Sequence, residues 1–427
     1  MTSRALRRTV GTASTSGGRS SEALGRMKGR IVGKVMYHLL RSEPLMRFLR
    51  RRPLMKLPGL GWFVTRRADV CEVLSRDQHF SVVYGPKMEA LTGPFFLGMN
   101  DPPYAHEKAA LSAAVLEEDL ARIARLSRAR ADELVAGADG RIDAIGGLTD
   151  PVVEATLPGY IGIPPLEPGT LLAWTRPVFH EVFLNAQEEA HVTREAGKAA
   201  AKIKPHLRSA IGVRWKRIEQ DEQPEDTVLD RLLTRLRARD EPFLELDRIH
   251  DTLFGLIVAW AVSVSRATGR ALDELLRRPD ALARAREAAR RGDEATIDKY
   301  LLEALRFNPQ APIVERLCPG GATIAQGTRL EAVIPQKAKL VVHTTSAMMD
   351  ETGPDLVEPS KFRADRPMGL YLHFGHDLHR CFGERISRAQ MSAIAMALLS
   401  GREDARAGGK LELAGPFPVR LPVALAR

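Results

Sequence analysis

A mainly α fold with small β-sheets is what this 427-residue chain predicts, on three observations. Leu, Ala, Arg and Glu dominate window after window while aromatic residues make up only 6%, a composition that favours helix over strand. Long stretches carry apolar residues at helical spacing. The β-type runs are short, bracketed by Gly and Pro, and gathered mainly in 313–345 and 411–425. With 44% apolar and 27% charged residues the chain has material for a large core and a well-solvated surface.

The first fifty-odd residues hold much of the net charge of +10 (63 Lys and Arg against 53 Asp and Glu). Residues 1–20, rich in Ser, Thr, Gly and Arg and without periodicity, read as a disordered basic leader, and 21–427 as a single domain. The leader is either a solvated tail or a weak contact for an anionic surface. With only Tyr37 and Phe48 available for stacking and no recognition motif, it argues against nucleic acid as a partner. Three cysteines, Cys71, Cys318 and Cys381, make no disulfide framework and suggest a reducing, cytoplasmic setting. No secretory signal is visible. The longest apolar run, 253–264, is shorter than the roughly 20 residues of a membrane span and reads as a buried helix.

In chain order, helical spacing over 22–48 (Ile31, Val35, Leu39) is punctuated by Pro53 and Pro58-Gly59. A strand follows over 61–65, a helix over 68–74, and a Gly- and Pro-rich loop over 85–94. The turn Asn100-Asp101-Pro102-Pro103 opens a helix from His106, with Asp101 as cap. Residues 116–135 are amphipathic, Pro164, Pro165 and Pro168 break the chain, and 174–219 is mostly helix-like. A polar loop over 220–226 precedes a helix over 227–239. The longest helix, 247–278, is apolar all round in its middle and therefore central. A polar, exposed helix over 281–291 leads to another over 297–307, stopped by Asn308-Pro309. Strands over 331–334 and 339–342, an irregular Pro-rich stretch over 353–367, a helix over 386–399 and short terminal strands complete the chain.

The densest chemistry lies in His373-Phe374-Gly375-His376-Asp377-Leu378-His379-Arg380-Cys381-Phe382-Gly383-Glu384-Arg385. Three readings stand. Cys381, just before a helix start, lies near backbone N–H groups that favour a thiolate, the ligand that pushes electron density into haem iron. Gly383 would leave room for a flat macrocycle, and His379 could donate to a haem propionate. Alternatively, His373, His376, His379 and Cys381 are zinc-ligand types, though cramped and without a distant second ligand pair. The third reading is an ordinary glycine-bearing turn.

Phe374 to Gly383 resembles the cysteine-loop signature of the cytochromes P450, carried by Phe374, Gly375, His379, Cys381 and Gly383, with Asp377 where that family usually has glycine. Glu303-Ala304-Leu305-Arg306 resembles the family's Glu-x-x-Arg helix, and Arg366 stands where a later arginine completes a structural charge network. Arg316 matches the arginine that follows this helix and would hold a propionate. Asp101-Pro102-Pro103-Tyr104-Ala105-His106 resembles the bacterial Asp-Pro-Pro-x-His motif with one extra residue. It makes His106 a second propionate candidate, and Lys108 a substitute for the arginine missing at Ala110. The resemblance implies a soluble bacterial type of P450 fold, haem b (iron protoporphyrin IX) ligated by Cys381, a monomer, and monooxygenation of a small or fatty-acid-like substrate with a ferredoxin and reductase as electron donor.

The long helix departs from the family. Val258-Ala259-Trp260-Ala261-Val262-Ser263-Val264-Ser265 places Trp260 near the family's glycine, Val262 near its acid and Ser263 near its threonine. Ser263 or Ser265 would then serve proton delivery. The missing acid also keeps open a hydroperoxide isomerase or peroxygenase needing no reductase, as in the haem-thiolate domains of fatty-acid dioxygenase fusions, and a haem-binding protein without turnover.

Overall fold

The computed structural model describes residues 42–426 apart from 53, 58–60, 101–102, 242–243, 353–355 and 402–403. The leader over 1–20, most of the helical stretch over 22–48, the punctuating Pro53 and Pro58-Gly59, and the cap Asp101 lie outside the described residues. Helix accounts for 57% of the structure, and the sheets are small, as the composition predicts.

The long helix, Leu246–Leu276, runs through the centre, with 23 of its residues from Ile249 to Leu276 buried. Against it pack Glu294–Phe307, Leu171–Phe179 and Glu384–Ser400, and Asp119–Ala136 lies on the last of these, their apolar faces meeting in the main core. By length and composition the central helix could cross a membrane, because it continues on both sides of the apolar run 253–264. In this fold 83% of its most apolar window is buried against protein.

A second core lies under a five-stranded sheet ordered Leu54–Leu57, Gly61–Val64, Ala338–Val342, Val314–Cys318, Ser81–Val82. Val64, Phe80, Leu340 and Val342 fill it. The helix Glu294–Phe307 stands between the two cores: Leu301 and Leu305 belong to the first, Leu302 to the second. The other strands form a three-stranded sheet (Arg141–Asp143, Pro422–Ala426, Asp404–Ala407) and two hairpin-like pairs.

Two expectations change. The segment expected as a loop over 85–94 contains a helix, Gly85–Thr92. Pro86 falls in its first turn, where a missing N–H costs nothing, and Gly93 ends it at φ +89°. The helix Pro279–Arg290, expected to be exposed, buries Ala281, Leu282, Ala285, Ala288 and Ala289. Small side chains let it lie close against its neighbours without a conspicuous apolar stripe. The stretch 174–219 divides into Leu171–Phe179, a looser turn His180–Leu184, and Ala190–Glu219.

Candidate functional site

The cysteine loop is a closed turn. Cys381 N–H donates to the Phe374 carbonyl at 2.7 Å and Arg380 N–H to Asp377 at 2.9 Å. Gly375 has φ +77°, and a Cβ there would stand 3.2 Å from the His379 carbonyl. Asp377 has φ +52°, so it adopts the left-handed conformation for which glycine is the usual choice. The substitution therefore keeps the turn. Gly383 precedes the helix Glu384–Ser400, and a Cβ there would meet no protein atom nearer than the Ser387 hydroxyl at 3.9 Å.

The backbone N–H of Gly383 donates to the Cys381 thiol, but burial acts more strongly and pushes that thiol up to about 11. The expected low thiol pKa is thus not set by the helix start alone. The side chain keeps one accessible side, while the protein mass around it disfavours charge. A cation on that open side is what a thiolate here would require.

Basic groups converge beside the thiol. Arg316, on the strand Val314–Cys318, is only 6% exposed, and its guanidinium donates to the Glu315 carbonyl at 2.9 Å. Burial holds its pKa down, while Tyr84 and Asp77 oppose that shift. His379 is pushed down to about 4, first by burial and then by Arg316 and Lys108. Both ring nitrogens of His379 are buried without a hydrogen-bond partner among the described residues. Lys108 donates to the Leu378 carbonyl at 3.3 Å. Tyr104, one turn earlier on the same helix, donates to that carbonyl at 2.7 Å and packs edge-on against the His379 ring at 4.7 Å. His106 is exposed on this helix. Tyr104 and Lys108, four residues apart, are the pair that faces the loop, whereas His106 lies about 200° around from Tyr104. Tyr104 was not singled out in the sequence, although its i,i+4 spacing to Lys108 was the available signal.

Behind the loop lies a closed ion network. Glu303 and Arg306 have fully buried side chains 2.7 Å apart. Glu303 also accepts from Arg366 Nε at 3.2 Å, the Tyr371 hydroxyl at 3.1 Å and the Arg363 N–H at 2.8 Å. Arg306 donates to the Pro359 carbonyl at 2.7 Å and Arg366 to that of Val357 at 2.9 Å. The expected trio therefore braces the irregular chain that leads into the loop. His373 adds a bond from Nε2 to the Leu302 carbonyl at 2.9 Å. Among the described residues no three His, Cys, Asp or Glu side chains gather to hold a metal ion, so the zinc reading loses its ligand set.

On the central helix, Ala259 and Ser263 are the half-buried positions between Leu253 and Asp273. One turn on, Ala267 lines a small cavity with Phe374 of the cysteine loop and Leu305. Ala259, Ser263 and Ala267 thus form one stripe of small residues leading to the loop. Val262 is fully buried. Ser265, the alternative proton donor, bonds Asp150 at 2.5 Å and accepts from Arg176 at 3.3 Å. It is committed to another face.

These residues fit a flat, carboxylate-bearing group. Arg316, Lys108 and the unpartnered His379 supply donors, and Gly383 leaves a face clear beside Cys381. Fold and site together offer what a haem-thiolate protein would need: a cysteine with an open side and basic donors near it. No family model matches the chain. A cytochrome P450 of Mycobacterium tuberculosis, P450 137, is 31% identical over 169 residues, 39% of this chain and 35% of that protein, so the chain matches about a third of its length. Cytochrome P450-SU2 of Streptomyces griseolus is 27% identical over 81% of both chains. Linoleate diol synthase of Gaeumannomyces graminis is 40% identical over 62 residues, 14% of this chain and 5% of that protein. The solved structure of CalO2 superposes with a TM-score of 0.75 at 22% identity, covering 91% of this chain and 97% of that one. The relatives named cytochrome P450 and the superposed P450 structures support membership of the cytochrome P450 superfamily, a family that implies a haem cofactor.

Proposed function

We propose that this protein is a haem-thiolate monooxygenase that holds haem b through Cys381 and oxidises a small or lipid-like organic substrate. Arg316, His379 and Lys108 would bind the propionates, with Tyr104 ordering His379. Phe374, Gly375 and Gly383 would shape the cradle. The bound haem would supply the redox chemistry at its iron. The chain's own residues would bind that group on the open side of the cysteine and present Ser263 on the small-residue stripe, where its hydroxyl can pass a proton. His106 is left without a propionate role in this reading. A ferredoxin and reductase would deliver electrons.

The observation that carries this reading is the basic cluster around His379, whose two buried ring nitrogens have no hydrogen-bond partner among the described residues, beside a cysteine whose charge the fold disfavours. The test is a visible spectrum of the purified protein, oxidised and then reduced under carbon monoxide. A thiolate-type band that disappears in Cys381→Ala supports the reading. A colourless protein, or a band unchanged in Cys381→Ala, overturns it.

One observation favours a second reading. Val262 stands where an acid would assist proton delivery, and the local match to linoleate diol synthase involves an enzyme named for a fatty acid. A fatty-acid hydroperoxide already contains the O–O bond and needs no reductant. Turnover of such a substrate without a reductase, and none with ferredoxin, reductase and dioxygen, would establish this alternative.

A further inference from the structure

Gln390, on the helix Glu384–Ser400, is fully buried. Its side-chain oxygen accepts from Trp260 Nε1 at 3.0 Å. Its amide nitrogen donates to Ser127 Oγ at 3.2 Å and to Thr156 Oγ1 at 2.9 Å. One side chain thereby ties together four helices: Asp119–Ala136, Asp150–Thr156, Leu246–Leu276 and Glu384–Ser400. Both amide hydrogens and an oxygen lone pair are engaged, so the buried group is satisfied without water.

Around this point the central helix buries Val258, Ala261, Val262 and Val264, and its next directional contacts along the chain are those of Ser265 with Asp150 and Arg176 and of Arg266 with the Gln310 carbonyl. Apolar contacts are non-directional and do not select one rotation of such a helix, whereas a hydrogen bond with a distance and an angle does. Trp260 lies about 100° around the axis from Ala259 and about 60° from Ser263.

We infer that the Trp260–Gln390 hydrogen bond is a rotational pin. It turns the stripe Ala259, Ser263 and Ala267 towards the cysteine loop and keeps Val262 and Val264 off it. Trp260 is then a positioning residue for Ser263. The functional meaning of the pin rests on the proton role proposed for Ser263, but its test needs neither haem nor turnover.

Ser263→Cys and Val262→Cys are each introduced alone and together with Trp260→Phe. Maleimide labelling of the new thiols is followed by peptide mass mapping, which separates them from Cys71, Cys318 and Cys381. With Trp260 present, the thiol of Ser263→Cys reacts faster than that of Val262→Cys. Trp260→Phe, which keeps a ring and removes the N–H, lowers that ratio by about tenfold, the scale of one lost hydrogen bond. Gln390→Met lowers it equally, and the double substitution goes no further. Gln390→Glu, which retains an acceptor for Trp260, preserves the ratio. A ratio unchanged in a cooperatively folded Trp260→Phe protein overturns the pin, since a purely structural loss of stability would not reorder the two sites. If Trp260→Phe does not fold, the Gln390→Met ratio decides in the same way. An unchanged ratio leaves the haem-thiolate reading standing, and a colourless wild-type protein leaves the pin standing.

Discussion

The brace around Glu303 and the cluster around Arg316 are both buried, both built on arginine, and opposite in their electrostatics. In the brace every charge is answered: Glu303 receives two guanidiniums, a phenol and a backbone N–H, and the arginines spend their remaining donors on carbonyls. In the cluster, Arg316 and Lys108 crowd His379, and no carboxylate forms an ion pair with Arg316 or Lys108 among the described residues. A closed network of buried charges holds structure, because its desolvation cost is offset internally. An open cluster of one sign is retained at a cost to stability and identifies a place where an anion completes the arrangement.

The difference can be broken most sharply at Glu303. Glu303→Ala strands Arg306 and Arg366 in the interior and should cost about 3–5 kcal/mol, seen as a collapse of the urea or thermal transition before any question of haem arises. Arg316→Leu should do the reverse. It removes an unanswered buried cation, so the apoprotein should be as stable as wild type or more so. Haem affinity should fall by roughly 10–100-fold, the worth of about 1.5–3 kcal/mol in charged hydrogen bonds. Haem titration and denaturation of the same sample check both halves. A stability loss resembling that of Glu303→Ala with unchanged haem affinity would remove the distinction between the regions.

A smaller effect is expected at the third buried polar network, which contains no charge. Trp260→Phe leaves the Gln390 oxygen unpaired and should cost about 1–3 kcal/mol in a denaturant melt. The last effect concerns pH. Burial pushes His373 down to about 4 from 6.5, with the Leu302 carbonyl opposing the shift. The unfolded chain therefore binds the proton more readily than the folded one. Stability contributed by the neutral ring is fully present above about 6.5 and is lost as pH falls towards about 4. Melting temperatures across that window should decline on acidification, and His373→Phe should flatten the slope.

Much of this was legible in the chain. Cys381, Gly383 and the Glu303–Arg306 spacing are local patterns, because a turn, a helix start and one helix face are set by neighbours in sequence. The helix Leu246–Leu276 was visible from its apolar middle, and the terminal strands from their spacing. What could not be read was which side of an element looks where. His106 carried the motif, yet Tyr104 and Lys108 face the loop, since a helix presents residues four apart on one side. Ser263 and Ser265 were interchangeable in sequence. Only packing sends Ser265 to Asp150, 115 positions away, and leaves Ser263 on the stripe. Gln390 and Ser127 are 263 positions apart and carried no signal at all.

By itself, then, the sequence determined most of the elements, the cysteine turn and the pairs of charges within one helix, because short-range sterics and periodicity depend only on nearby residues. The tertiary structure alone decided that Asp377 could take a left-handed backbone in its turn. It also decided that burial pushes the Cys381 thiol up, and that Arg316, Lys108 and His379, from distant segments, come close enough to act on one another. Those outcomes depend on desolvation and on long-range packing, which no stretch of chain carries until the rest has folded around it.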